Sequence, residues 1–141
     1  MEANNTVAQL KERLNKDSND IEAAISLGNI YYDSGDAGQA ILYYRRALDI
    51  NPDLSGVRTD LGTMYWRNDD VGLAEQSFRE AIARDFTFGN AYVNLGLLLH
   101  RAKDNVTEAR TVWQQLLAVN PNHAAAGKAR ELLQEIAALI N

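Results

Sequence analysis

The chain contains no cysteine and only two prolines, Pro52 and Pro121. The first absence excludes disulfides and thiolate metal sites, without deciding the redox compartment. The second leaves room for long helices, because a proline in a helix interior costs about 3 kcal/mol. No apolar run approaches the roughly 18 residues that a membrane-crossing helix needs, so direct membrane insertion is not expected. The opening residues, Met1 to Thr6, lack a basic region followed by an apolar stretch, so they do not read as a signal peptide. The compartment stays open: cytoplasmic by default, periplasmic if the chain is a domain of an anchored protein. Basic charge is also scarce, with 14 Lys and Arg against 19 Asp and Glu and a net charge of −5. A nucleic-acid partner needs clustered Lys and Arg and is not expected. The acidic balance leans towards neutral or basic protein partners. The only histidines, His100 and His123, lie in different helical stretches with no acidic pair at ligand spacing. No metal site and no catalytic constellation is expected from them, and both read as solvated side chains. The nine glycines are scattered and form no phosphate-cradling loop, so no cofactor is expected either. What remains is a chain of 141 residues, 46% hydrophobic and 23% charged, which is globular composition.

Against these absences stands a repeat. Leu27-Gly28, Leu61-Gly62 and Leu95-Gly96 recur at steps of 34 residues. The same step relates Ala40 to Ala74, Tyr44 to Phe78, Ala47 to Ala81, and the aspartates Asp36, Asp70 and Asp104. In the third unit the later columns fall one residue late, at Ala109, Trp113 and Leu116. One extra residue is therefore expected between Asp104 and Ala109, in or beside a turn, where a change of length costs little. Each unit reads as two helices, roughly 21–33 and 37–49 in the first. A glycine inside a helix costs about 1 kcal/mol relative to alanine, so its recurrence needs a reason. The missing side chain lets the partner helix approach closely, and Ala40 is expected to meet Gly28. Ser34-Gly35-Asp36 and Asn68-Asp69-Asp70 read as turns, with Asp36 and Asp70 as N-caps. Asn51-Pro52-Asp53 and Asn120-Pro121-Asn122 end the second helices.

The two ends fit the same plan. Thr6 and Gln9 have capping-box spacing, and Val7, Leu10 and Leu14 fall on one narrow helical face. Near the other end Ala125, Ala129, Leu132, Leu133, Ile136, Leu139 and Ile140 occupy one side of a helix. Lys128, Glu131, Gln134 and Glu135 occupy the other, the polar outer face that a terminal cap of a solenoid requires. The reading is about eight helices in one domain over 1–141. An N-terminal helix lies in 1–19, three units span 21–54, 55–88 and 89–123, and a capping helix spans 124–141.

A period of 34 with these columns resembles the tetratricopeptide repeat (TPR) family, whose pattern is W-x₂-L-G-x₂-Y, then A-x₃-F, then P. The first unit reads Ala24, Leu27-Gly28, Tyr31, Ala40, Tyr44, Pro52. The second reads Arg58, Leu61-Gly62, Tyr65, Ala74, Phe78, with Phe86 in place of proline. The third reads Tyr92, Leu95-Gly96, Leu99, Ala109, Trp113, Pro121. Roughly residues 20 to 123 are covered. The resemblance implies an all-α, right-handed superhelix of antiparallel helix pairs, with a half-repeat helix before them and a capping helix behind.

The resemblance also implies where a partner binds. First helices line the concave face, and the inner residues sit beside the Leu-Gly pair. The candidate rows are Ile25, Thr59 and Val93; Ser26, Asp60 and Asn94; Asn29, Thr63 and Leu97; Tyr32, Trp66 and His100. Trp66, central and aromatic, is expected to anchor the partner without being needed by the scaffold. Some TPR domains hold the C-terminal carboxylate of heat-shock chaperones with a clamp of Lys, Asn and Arg. The matching positions here are Ile25, Asn29, Asp60, Asn90 and Asn94. Only Asn29 fits, and Asp60 would repel a carboxylate, so that ligand is not expected. The expected function is a non-enzymatic adaptor that binds a peptide or protein in the groove. Two alternatives stand beside it. One is a structural scaffold that assembles into homo-oligomers. The other is a periplasmic domain, because Ala109 to Leu117 is similar to the last repeat of TPR proteins of bacterial cytochrome c assembly.

Overall fold

The structure, a computed structural model, describes residues 2–140, with side chains from Thr6 onwards. Eight helices and no strand occur among the described residues. They are α1 (Glu2–Lys16), α2 (Ile21–Ser34), α3 (Ala37–Ile50), α4 (Ser55–Arg67), α5 (Val71–Arg84), α6 (Gly89–Arg101), α7 (Val106–Val119) and α8 (Ala126–Ile140). Each packs on its sequence neighbours, and α4 also touches α6, which touches α8. Helices α4, α6 and α8 therefore stand side by side along one wall of an all-α superhelix. Helix α1 runs on from Glu2, so the Thr6–Gln9 spacing falls inside it and does not mark its start.

Local chemistry explains the boundaries. Asp36 and Asp70 accept from the backbone N–H groups of Gln39 and Leu73, satisfying donors that a helix start leaves open. Asp20 does the same for Ala23 in front of α2. Helix α7 is different, because Asn105 is its N-cap and accepts from Glu108. Asp104 instead has φ 52°, the left-handed conformation held by Gly35 (80°) and Asp69 (61°) in the earlier units. The closing hydrogen bonds locate the extra residue. Asp36 N–H reaches Tyr31 O and Asp70 N–H reaches Tyr65 O, five residues back, whereas Asn105 N–H reaches Leu99 O, six back. The insertion thus lies between Leu99 and Asp104, not after Asp104. Matching the aspartates by identity had hidden their different backbone roles.

The glycine column works through aromatic rings rather than through Ala40. A Cβ on Gly28 would overlap the Tyr44 ring; on Gly62 it would sit 2.6 Å from Phe78 Cε1; on Gly96 it would overlap the Trp113 indole. All three aromatic side chains are buried, and Trp113 Nε1–H donates to Val93 O at 3.3 Å. Arg58, where the TPR pattern has tryptophan, is also mostly covered. Its guanidinium donates to Glu80 Oε2 and to Pro52 O, both at 2.7 Å, tying α4 to α5 and to the preceding turn. Apolar burial is unequal along the array. One cluster joins α1, α2 and α3, a second joins α3 and α4, and the largest runs from α5 to α8. In α8, Ala129, Leu132 and Ile136 are buried, while Leu139 is 62% exposed and faces solvent.

Candidate functional site

A cleft of about 390 Å³ opens among the even-numbered helices. Helix α2 contributes Tyr32; α4 contributes Gly56, Thr59 and Asp60; α6 contributes Asn90, Val93 and Asn94. Phe88, the residue before α6, and Ala125 and Lys128, at the start of α8, close the far side. A larger depression of about 530 Å³ lies on the outer face of α5 around Gly72, Glu75 and Arg79, but one helix supplies its whole lining and nothing opposes it.

The cleft is held by contacts made just behind it. Phe88 meets the His123 ring edge-on at 6.5 Å between centroids. That ring covers Gly89, where a Cβ would lie 2.5 Å from His123 Nδ1, and Nδ1 accepts from Ala125 N–H at 2.9 Å. His123 is therefore a partly buried structural side chain, contrary to the solvated reading. The Tyr32 ring packs edge-on against Tyr44 and carries the Arg67 guanidinium 5.1 Å above it. Tyr44 donates its hydroxyl to Asn29 Oδ1 at 2.7 Å. Burial first, and then the charges of Asp60, Tyr32 and Asp33, push the Tyr44 phenol well up. Asp60 sits in the interior of α4, partly covered. Burial first, and then Asp33, push its carboxyl up to about 6.

Of the twelve residues in the four rows read from the sequence, Tyr32, Thr59, Asp60, Val93 and Asn94 line this cleft. Two of these five serve the scaffold as well: Val93 is buried, and the Thr59 hydroxyl donates to Ser55 O within α4. The other seven, Ser26 among them, lie outside the lining. Ile25 packs on the first core cluster. Asn29 is exposed and engaged by Tyr44. Thr63 donates to Thr59 O at 3.3 Å. Leu97 and Trp66 pack, partly buried, against the cluster of α5 to α8. His100 has its Nδ1 shut off from solvent without a hydrogen-bond partner. Trp66 is therefore part of the scaffold, which the sequence reading did not expect. Trp66→Ala is expected to lower stability by about 1–3 kcal/mol, less than for a fully buried aromatic ring. A thermal melt followed by circular dichroism checks this, and an unchanged midpoint would return Trp66 to the surface.

Sequence reasoning missed Gly56, Phe88, Ala125 and Lys128 as cleft residues. Gly56 and Asn90 are one 34-residue step apart, as are Leu54 and Phe88, so the column signal was present on one side. Lys128 carried no such signal, because α8 has no Leu-Gly pair to set its register. Among the described residues no group of three or more His, Asp or Glu side chains could hold a metal ion. No described helix is long and apolar enough to cross a membrane.

Helix pairs closed by a Leu-Gly contact on an aromatic ring, stacked into a wall with a cleft, define a TPR scaffold. The chain belongs to the family described as Cilia and flagella-associated protein 70 middle TPR-like domain, whose sequence pattern matches residues 20–140. It is 28% identical to Tetratricopeptide repeat protein 8 of Caenorhabditis elegans over 79% of this chain and 29% of that protein. It is also 28% identical to RNA polymerase II-associated protein 3 of Xenopus laevis, over 83% of this chain and 18% of that protein. The chain thus spans less than a third of these curated relatives. Among solved structures, MamA protein superimposes with a TM-score of 0.79 at 22% identity, over 98% of this chain and 78% of that one. The first TPR domain of Spaghetti, bound to an HSP90 peptide, superimposes with a TM-score of 0.74 at 23% identity, over 85% of this chain and 94% of that one.

Proposed function

We propose that the chain acts as one binding unit whose inner cleft holds an extended segment of a partner protein, and that it does so without catalysing a reaction. The carrying observation is that four separate helices contribute side chains to one concave, mixed polar and aromatic cleft. Such a lining suits a peptide: Tyr32 and Phe88 offer flat contact area, and the Asn90 and Asn94 amides can pair with a peptide backbone. Neither amide makes a side-chain hydrogen bond among the described residues, so both are available. The two solved TPR domains in complex with chaperone peptides, one with an HSP90 peptide and one with an Hsp70 peptide, give a precedent for the class of ligand. A carboxylate-ended ligand fits this cleft poorly, because Asp60 stands where a cation would be needed. The charge balance supports a protein partner over nucleic acid.

The test fills the cleft. Asn94→Trp should abolish capture of proteins retained by the parent chain, with unchanged helicity, since hot-spot contacts commonly carry about 2 kcal/mol or more. An identical set of retained proteins, compared quantitatively by mass spectrometry, would show that binding occurs elsewhere. A second reading, self-assembly through α8, is favoured by the exposed Leu139. Light scattering over a concentration range distinguishes it, because a monomer at all concentrations removes it.

A further inference from the structure

We propose that the cleft selects partner segments carrying a lysine or arginine, whose cationic head group docks on Asp60. The inference rests on the cleft reading above and gives it a ligand chemistry.

The first support is that Asp60 has no structural task. Other acidic residues cap helices (Asp20, Asp36, Asp70), shape turns (Asp17, Asp85) or form ion pairs (Asp53, Glu75, Glu80, Glu108). Asp60 does none of these. Among the described residues it is the one partly covered acidic side chain with neither a hydrogen bond nor an ion pair. It also stands in a helix interior, where aspartate is disfavoured. Covering a carboxylate without a partner costs free energy that pairing would recover.

The second support is that no cation of the protein pairs with it among the described residues. Asp60 of α4 faces Asp33 and Tyr32 of α2, Tyr44 of α3, Asn90 and Asn94 of α6, and Lys128 of α8. Asp33 adds repulsion. Lys128 Nζ lies 3.5 Å from Glu131, and Arg67 is spread over the Tyr32 ring. A lysine or arginine from a partner would meet an unpaired carboxylate in a cleft walled by two aromatic rings, whose faces also attract cations. Ligand carboxylates would be repelled at the same spot, which gives discrimination as well as attraction.

Linkage sharpens the expectation. The Asp60 carboxyl titrates at about 6 when folded, above the ordinary aspartate value of 3.8. Because the folded state binds this proton more tightly, the group's contribution to stability is largest below about 4 and is lost as pH rises through about 6. At neutral pH the ionised carboxylate therefore weakens the fold while serving the ligand. Asp60→Asn should raise the melting midpoint at pH 7 by a few degrees and at the same time reduce binding. A residue kept for structure would behave in the opposite way.

The experiment uses the full chain on an array of short extended peptides that differ only at one central position: lysine, arginine, norleucine or glutamate. The parent should retain the lysine and arginine peptides at least about tenfold better than the other two. That preference should fade as pH falls below about 6, and both the preference and its pH dependence should vanish in Asp60→Asn. Asp60→Lys should reverse the order in favour of glutamate. Retention that Asn94→Trp abolishes but that ignores the central charge would overturn the inference and leave the cleft reading standing. Unchanged selectivity in Asp60→Asn would do the same. Retention that Asn94→Trp does not affect, or no retention of any peptide, would overturn both.

Discussion

Trp113→Ala is expected to melt on the order of 10–20 °C below the parent, from a loss of about 3–5 kcal/mol. The indole is completely buried and rests directly on Gly96, where no side chain separates α6 from α7. Truncation leaves a cavity between the two helices and also removes the hydrogen bond that the indole N–H gives to Val93 O. Trp113 belongs to the cluster that joins α5 to α8, so the loss should spread through that half of the array. Hydrogen exchange should show α6 to α8 losing protection first, while the separate cluster of α1 to α3 holds longer. A shift under about 3 °C would mean that the site collapses around the gap and that the ring-on-glycine contact is not the joint of the third unit.

Gly62→Leu is expected to cost about 3 kcal/mol or more, at the upper end of what overpacking usually costs. Even a Cβ at Gly62 would stand 2.6 Å and 2.8 Å from two atoms of Phe78, which is fully buried and cannot yield without moving α5. The control is Gly127→Ala in α8, where an added Cβ meets nothing within 4 Å. That change should leave the midpoint unchanged or raise it, since alanine is favoured over glycine by up to about 1 kcal/mol in a helix. Parallel melts decide the matter. If both substitutions behave alike, the close approach of α4 and α5 does not explain the glycine.

The contrast between these two glycines shows what could be read in advance. The 34-residue step of Leu-Gly pairs, the N-cap aspartates and the proline turns placed the helices of the first unit within a residue of their observed ends, because each is a local signal with a local cause. The identity of the ring over Gly28 was not local. Ala40 and Tyr44 lie one turn apart on the same face of α3, and only the packed geometry shows which of them reaches the glycine. Trp66 was harder to read for a related reason. Its column suggested an inner face, but the side chain also packs, partly buried, against the core cluster of α5 to α8. The cleft was half legible: Tyr32, Thr59, Asp60, Val93 and Asn94 came from columns that repeat. Its far wall of Phe88, Ala125 and Lys128 depends on how α8 settles against α6, and no repeated column records that register.

The turn between α6 and α7 offers a point of entry for engineering. It already accommodates one surplus residue without disturbing the helices on either side. Ala102 and Lys103 are exposed there, about 12 Å along the helix axis from Asn94. A fluorescent or epitope insert at this junction would ride on the rim of the superhelix, close enough to the cleft to register an arriving peptide and too far along the helix to compete with it.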